Sequence, residues 1–339
     1  MGSTRRSVLT SSLAASALAW GGLSVPTNAA PGQFKLKFGS DSPEGSPVTF
    51  HMREVAKKVQ EASAGSIEIG VFPNSQLGSS TDMLAQVRSG ALDMYVISPG
   101  VLSTLAPIAT ISGVGYCWPS YDNIWPAMDG EVGDHVRRGI RDAGLEVFDR
   151  AWALGFRQVT SATRPITTPA DFQGFKIRVL AGSLWTSLFT ALGAGPTTIN
   201  FAELYTSLQT KVVDGQENPT SVIKSAKFYE VQKYLSLTSH MWDMNWLIIS
   251  QRLWRRYPAD VTSLVSRIVN EQALIQREDV AAQNAKGIDD LRTLGLAVNT
   301  PDAAPFQEKL RASGFYKEWK EKFGAAAWAA LEKYTGPIS

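Results

Sequence analysis

The sequence predicts an α/β protein of two lobes, with a cleft between them and one long helix shared by both. Residues 34–97 alternate strand-like and helix-like periods in the order strand, helix, strand, helix, strand. That order suits a largely parallel sheet with covering helices. The pattern restarts near Val147, and a single helical stretch then runs from Pro258 to about Leu294. A chain of 339 residues exceeds one ordinary core and fits two lobes plus a leader.

Phe34 to Gly39 alternate apolar and polar residues, the period of a strand. Ser46 can cap a helix with Pro47 at its first position, and Val48, Met52, Val55, Ala56 and Val59 follow at helical spacing. Ala64-Gly65 ends that helix. Ile67, Ile69 and Val71 alternate as a second strand. Thr81 to Arg88 form a helix with Met83, Leu84 and Val87 inward, and Gly90 stops it. Ala91 to Ile97 read as a third strand, apolar except for Asp93.

In the second half, Val147 to Ala153 and Phe175 to Val179 read as strands. Helices follow at Ser183 to Leu192 and Ala202 to Gln209, then a short strand at Val212-Val213-Asp214 and another at Trp246 to Ser250. The long helix carries Val261, Leu264, Val265 and Ile268 on one face, and Phe315 to Tyr334 is helical and rich in aromatics. We therefore expect one lobe from 31–155 plus about 243–282, and the other from 156–242 plus about 283–339. Ligands of open α/β sheets bind beyond the carboxyl ends of the strands, so the interlobe cleft is the expected site.

Residues 1–30 read as a cleaved export signal. Arg5-Arg6 supply the positive start, Leu13 to Leu23 the apolar stretch, Pro26 the break, and Thr27-Asn28-Ala29-Ala30 the small residues of a cleavage site. Thr4-Arg5-Arg6-Ser7-Val8-Leu9 is also close to a twin-arginine signal, so both export routes stay open. The apolar stretch is too short for a permanent span, and no later run reaches about 18 apolar residues, so the mature chain is not expected to insert in a membrane.

Lys and Arg number 33 against 31 Asp and Glu. The two extra charges are Arg5 and Arg6, so the chain beyond the leader is neutral and offers no basic field for nucleic acid. The single cysteine, Cys117, cannot form an internal disulfide and reads as a buried small hydrophobe. His51, His135 and His240 stand far apart, with no metal-ligand spacing. No phosphate loop, nucleophile elbow or dinucleotide fingerprint is present. Asp214 and Glu217 read as a turn device rather than an acid/base pair. Nothing points to an enzyme, a cofactor or a metal.

One ordered set of motifs is informative. It begins at Arg157-Gln158-Val159-Thr160 and continues through Asp171-Phe172-Gln173-Gly174-Phe175-Lys176-Ile177-Arg178-Val179. Leu192-Gly193-Ala194-Gly195-Pro196, Phe201-Ala202-Glu203-Leu204-Tyr205 and Val213-Asp214-Gly215-Gln216-Glu217-Asn218-Pro219 follow. Together with Pro73-Asn74-Ser75-Gln76-Leu77-Gly78 and Gly90-Ala91-Leu92-Asp93, this succession resembles the substrate-binding subunits of tripartite ATP-independent periplasmic (TRAP) transporters.

The resemblance implies a periplasmic binding protein that closes on a small organic carboxylate and hands it to TRAP membrane subunits. It assigns the carboxylate to Arg178, whose planar fork of donors matches two carboxylate oxygens. Arg157 and Asn218 take supporting places, and Ser40, Asp41, Ser98, Trp118, Trp242 and Asp243 complete the implied site. Ten tryptophans suit flat apolar walls, so an apolar or aromatic monocarboxylate is the expected ligand class. A receptor feeding a sensor system and a periplasmic enzyme are the rival readings.

Overall fold

The computed structural model describes residues 32–338; the predicted export signal lies outside the described residues. Two six-stranded mixed sheets form the frame. The first holds β1 (Phe34–Ser40), β2 (Ile67–Phe72), β3 (Met94–Ile97), β4 (Leu145–Val147), β5 (Trp152–Phe156) and β11 (Trp242–Ser250). Its order is β2-β1-β3-β11-β4, with β5 also on β11. The second holds β6 (Gln158–Ser161), β7 (Lys176–Val179), β8 (Gly195–Thr198), β9 (Gly215–Asn218), β10 (Tyr234–Ser236) and β12 (Ala297–Asn299), in the order β12-β10-β6-β9-β7-β8.

The largely parallel sheet expected from sequence is corrected in one respect. β1 pairs parallel with β2 and β3, but β11 runs antiparallel to β3, β4 and β5. A strand that returns from the other half enters the sheet against its direction.

The first half carries α1 (Pro47–Ala62), α2 (Ser80–Ser89), α3 (Pro99–Leu102), α4 (Ile124–Asp129) and α5 (Glu131–Asp142). Ser46 caps α1 by accepting from the Thr49 amide, and Gly90 ends α2 in the left-handed region at φ 82°. The second half carries α6 (Ser183–Leu192), α7 (Phe201–Gln209) and α8 (Thr220–Ser225). After β11 come α9 (Gln251–Trp254) and the 35-residue α10 (Ala259–Thr293), then α11 (Ala304–Ala312), α12 (Phe315–Phe323) and α13 (Ala325–Thr335). The predicted C-terminal helix is broken at Gly324, whose φ of 82° suits glycine.

Two predicted strands are displaced. The run Val147 to Ala153 splits into the end of β4 and the start of β5. Between them Arg137 holds the Asp149 carbonyl and Asn270 holds the Arg150 amide, so the charged pair turns outward. Val212 to Asp214 form a turn after Lys211 (φ 59°), and Val212 is exposed. The strand starts at Gly215, three residues beyond the predicted start.

Helix α10 touches both halves. β5 is an edge strand with unpaired backbone groups on its free side. Gln276 takes the place of a neighbouring strand: Oε1 accepts from Ala153 N at 2.7 Å and Nε2 donates to Ala153 O at 2.8 Å. About two turns further along, Asn284 donates to Leu154 O at 2.6 Å and accepts from the Ser221 amide at 3.0 Å, so it ties β5 to α8. Arg277 forks onto Asp129 and lies 3.6 Å from the centre of the Trp125 ring.

Gln276→Leu removes both edge bonds and leaves two buried backbone groups unpaired. Urea unfolding is expected to show a loss of about 2–6 kcal/mol, from about 1–3 kcal/mol for each of the two unsatisfied groups.

Candidate functional site

The backbone crosses between the sheets at three places: β5 to β6 through Arg157, β10 to β11 through residues 237–241, and along α10. The first two crossings are hydrogen-bonded to each other, Arg157 N to Met241 O at 2.8 Å. Near them β11 and β5 slip register at Asp243/Met244, opposite Gly155 at φ 112°. Such a bulge re-aims side chains, and here Asp243 meets Arg157.

Arg157 is 1% exposed and fully engaged. Its Nε donates to Glu217 Oε2, its Nη2 to Glu217 Oε1 at 2.8 Å, and its Nη1 to Asp243 Oδ2. Nη2 also reaches the Glu217 carbonyl at 2.7 Å and Asn218 Oδ1 at 3.1 Å. His240 Nε2 lies 3.2 Å from Glu217 Oε2, and burial keeps His240 below the usual imidazole range. Burial alone would raise Glu217, but Arg157 and His240 hold its carboxyl below the ordinary glutamate range. Asp243, with burial dominant and Arg157 pulling back, is pushed up to about 6. Glu217 is thus a fully buried partner on β9, not the turn acid expected from sequence.

Between the sheets lies a cavity of about 740 Å³, its mouth included. The first half contributes Asp41 from the loop after β1, Ser80 at the start of α2, Ser98 after β3, and Asn245 of β11. The second half contributes Arg178 of β7, Asn200 and Phe201 at the start of α7, Asn218 at the end of β9, and Ser221 and Ser225 of α8. Val48, Val101, Leu154, Leu180 and Val280 give it aliphatic walls.

Arg178 is 2% exposed, yet only its Nε has a protein partner, Ile199 O at 2.8 Å. Its two terminal nitrogens make no hydrogen bond and no ion pair among the described residues. Burial lowers its pKa to about 10, with Glu217 opposing and Arg157 reinforcing, so it stays charged at neutral pH. Phe201 sits under the guanidinium, 5.9 Å from ring centre to Cζ. Asn218 is fixed at both ends: its Oδ1 accepts from Arg157 and its Nδ2 donates to Gln216 Oε1 at 2.5 Å. A guanidinium whose terminal nitrogens have no protein partner, at the wall of a cavity, is chemically suited to an anion with two coplanar oxygens.

Of the nine residues singled out from sequence, the cavity brings together Arg178, Arg157, Asn218, Asp41 and Ser98. Asp243 lies behind Arg157 as its ion-pair partner, outside the lining. Ser40 is buried and accepts from the Ser42 amide. Trp118 donates to Ser112 O at 2.6 Å within the core, and Trp242 packs edge-on against Trp125. Among the described residues no tryptophan lines the cavity, so the nine tryptophans there lend nothing to an aromatic ligand. Sequence reasoning missed Ser80, Asn200, Ser221, Ser225 and Asn245. Asn245 had a signal: Asp243 and Asn245 alternate with Trp242, Met244 and Trp246, a polar face on an otherwise apolar strand.

Among the described residues no helix is long and apolar enough to cross a membrane, and no cluster of three or more His, Cys, Asp or Glu is placed to hold a metal.

A sialic acid-binding periplasmic protein of Vibrio cholerae is 32% identical over 85% of this chain and 89% of its own length. A TRAP periplasmic solute-binding protein of a Polaromonas species, solved with D-erythronate, superposes with a TM-score of 0.85 at 29% identity, covering 90% of this chain and all of that one. Another from Sulfurospirillum deleyianum, solved with succinate, gives 0.84 at 26% identity, covering 89% and 99%. The family is one of binding proteins, not enzymes. Residues 38–322 match the model of bacterial extracellular solute-binding protein family 7, and the chain belongs to that family of TRAP solute-binding proteins.

Proposed function

We propose that this protein, exported by residues 1–30, captures a small organic monocarboxylate in the periplasm and passes it to the membrane subunits of a TRAP transporter. The observation that carries the reading is Arg178, a buried cation whose terminal nitrogens have no protein partner and which lines the interlobe cavity. Leaving a buried charge unpaired is costly, and an entering carboxylate removes that cost by completing the fork. The relatives' ligands are organic acids, which supports the class without choosing within it.

In this reading the two arginines differ. Arg178 meets the ligand. Arg157, already paired with both Glu217 and Asp243, holds Asn218 in place, and the Asn218 amide adds a polar contact on the cavity floor. Closure of the two halves expels water and strengthens the arginine–carboxylate contact. Gly100 of α3 in the first half and the segment Leu180–Gly182 of the second approach each other closely. A Cβ on Gly100 would lie 1.8 Å from Leu180 Cδ1 and 2.8 Å from the Ala181 carbonyl oxygen.

Three outcomes are expected. In a thermal-shift panel of carboxylates, Arg178→Ala loses ligand stabilisation, and Arg178→Lys keeps the charge but loses the fork and retains only part of it. Undiminished stabilisation of Arg178→Ala by the ligands of the wild type sinks the reading. For the unliganded protein, Arg157→Met is expected to cost about 3–5 kcal/mol because two acids are left buried, whereas Arg178→Met leaves the melting temperature unchanged or raises it. Gly100→Val props the halves apart, so calorimetry is expected to show about tenfold or more weaker binding of every ligand, from a steric cost of about 1–3 kcal/mol, with the order of preference kept.

A further inference from the structure

A carboxylate bound at Arg178 leaves one charged side chain of the cavity wall, Asp41, facing the ligand without an ion-pair partner. Arg157 is committed to Glu217 and Asp243 behind the lining. That leaves Arg178 on one wall and Asp41 on the other as the cavity's own charges. No ion pair links them, though each lies within the other's field. A ligand carboxylate takes Arg178. Asp41 then faces the ligand with no cationic partner among the described residues; Ser80 Oγ, at 2.5 Å from Oδ2, is the side chain that donates to it.

An ionised carboxylate only accepts hydrogen bonds, so a group brought against Asp41 must donate. A methylene there leaves the acid desolvated without compensation, and a second carboxylate adds like-charge repulsion. Burial already raises the Asp41 carboxyl above its usual range, with Ser80 and Arg178 pulling it back, so the site holds the anion under-solvated rather than comfortably paired. The surroundings suit a polar chain. Ser98 Oγ is buried with no hydrogen-bond partner. The Asn200 and Asn245 amides line the cavity and make no side-chain hydrogen bond among the described residues.

We propose that Asp41 is the specificity-determining residue of this cavity, selecting monocarboxylates that carry a hydroxyl or ammonium donor away from the carboxylate and rejecting dicarboxylates. The family as a whole does not impose this choice, since its solved members hold both D-erythronate and succinate. The inference rests on Arg178 as the carboxylate anchor. A pocket built around an acceptor rejects the analogue that lacks the donor more sharply than an apolar pocket rejects a missing methylene.

The test uses matched four-carbon and six-carbon acids that differ only at the far end: methyl, hydroxyl, ammonium or a second carboxylate. The four-carbon set is butyrate, 4-hydroxybutyrate, 4-aminobutyrate and succinate. Binding is measured by titration calorimetry on the mature chain, unfolded and refolded to strip any carried ligand. The wild type is expected to bind a hydroxyl- or ammonium-bearing acid at least about tenfold more tightly than its methyl counterpart, with the dicarboxylate weakest; which of the two donors wins identifies the donor. Asp41→Asn removes the charge but keeps an acceptor, so the ammonium acid loses affinity, the hydroxy acid keeps most of its own, and the dicarboxylate gains about tenfold. Asp41→Ala flattens the order altogether, and unliganded melting temperatures check that both variants fold.

An unchanged order in both Asp41 variants overturns the proposal, as does a wild type that prefers the dicarboxylate or binds none of the donor-bearing acids. Arg178→Ala separates the two readings. If it abolishes binding of all acids while the Asp41 variants change nothing, the anchor stands and the selection by Asp41 fails. If it leaves binding intact, the anchor itself is wrong.

Discussion

A single buried guanidinium, shared between Glu217 of the second sheet and Asp243 of the first, holds the place where the chain crosses between its halves. Arg157 sits on that crossing, its backbone amide bonded to the returning strand and its side chain bonded to both sheets. Pairing of this kind contributes little net stability over an apolar core. What it supplies is register. With two acids and one carbonyl around it, the guanidinium has one geometry that satisfies all its partners, and Asn218 takes its orientation from that geometry. The floor of the cavity is set in this way before any ligand enters.

Arg178 presents the opposite case a few residues away in space. It is as deeply buried as Arg157, on β7 of the second sheet, yet no acid is hydrogen-bonded to it. Desolvation of an unpaired cation is tolerated only where something repays it. The long helix α10 and the crossings keep the two walls in reach of each other, so the anion that completes Arg178 also meets groups from the first half. Gln276 and Asn284 of α10 complete the free edge of β5 as a neighbouring strand would, which lets one helix be part of both halves without blocking their cleft.

The periodic elements were legible from sequence because their signals are local. Ser46 before Pro47, Gly90 after a helical face, and the Val261–Ile268 spacing each specify their own segment. Where the reading slipped, the deciding partner was distant. Val212-Val213 looks like a strand but follows a left-handed Lys211 and faces solvent. Glu217 looks like a turn acid because the arginine that buries it is 60 residues away. Trp118 and Trp242 carry no sequence mark that separates a core ring from a cavity wall, and both proved to be core.

Sequence alone determined the α/β alternation and the long shared helix, since side-chain periodicity and chain order decide these; the pair of arginines worth watching came from the resemblance of their motifs to TRAP binding subunits. Tertiary structure alone decided which arginine is neutralised and which keeps an open fork. Two guanidiniums are chemically identical in the unfolded chain. Only the bulge at Asp243 and the pairing of β6 with β9 bring two carboxylates to Arg157 and none to Arg178. That difference comes from distances between segments remote in sequence, and Coulomb interactions and desolvation depend on those distances.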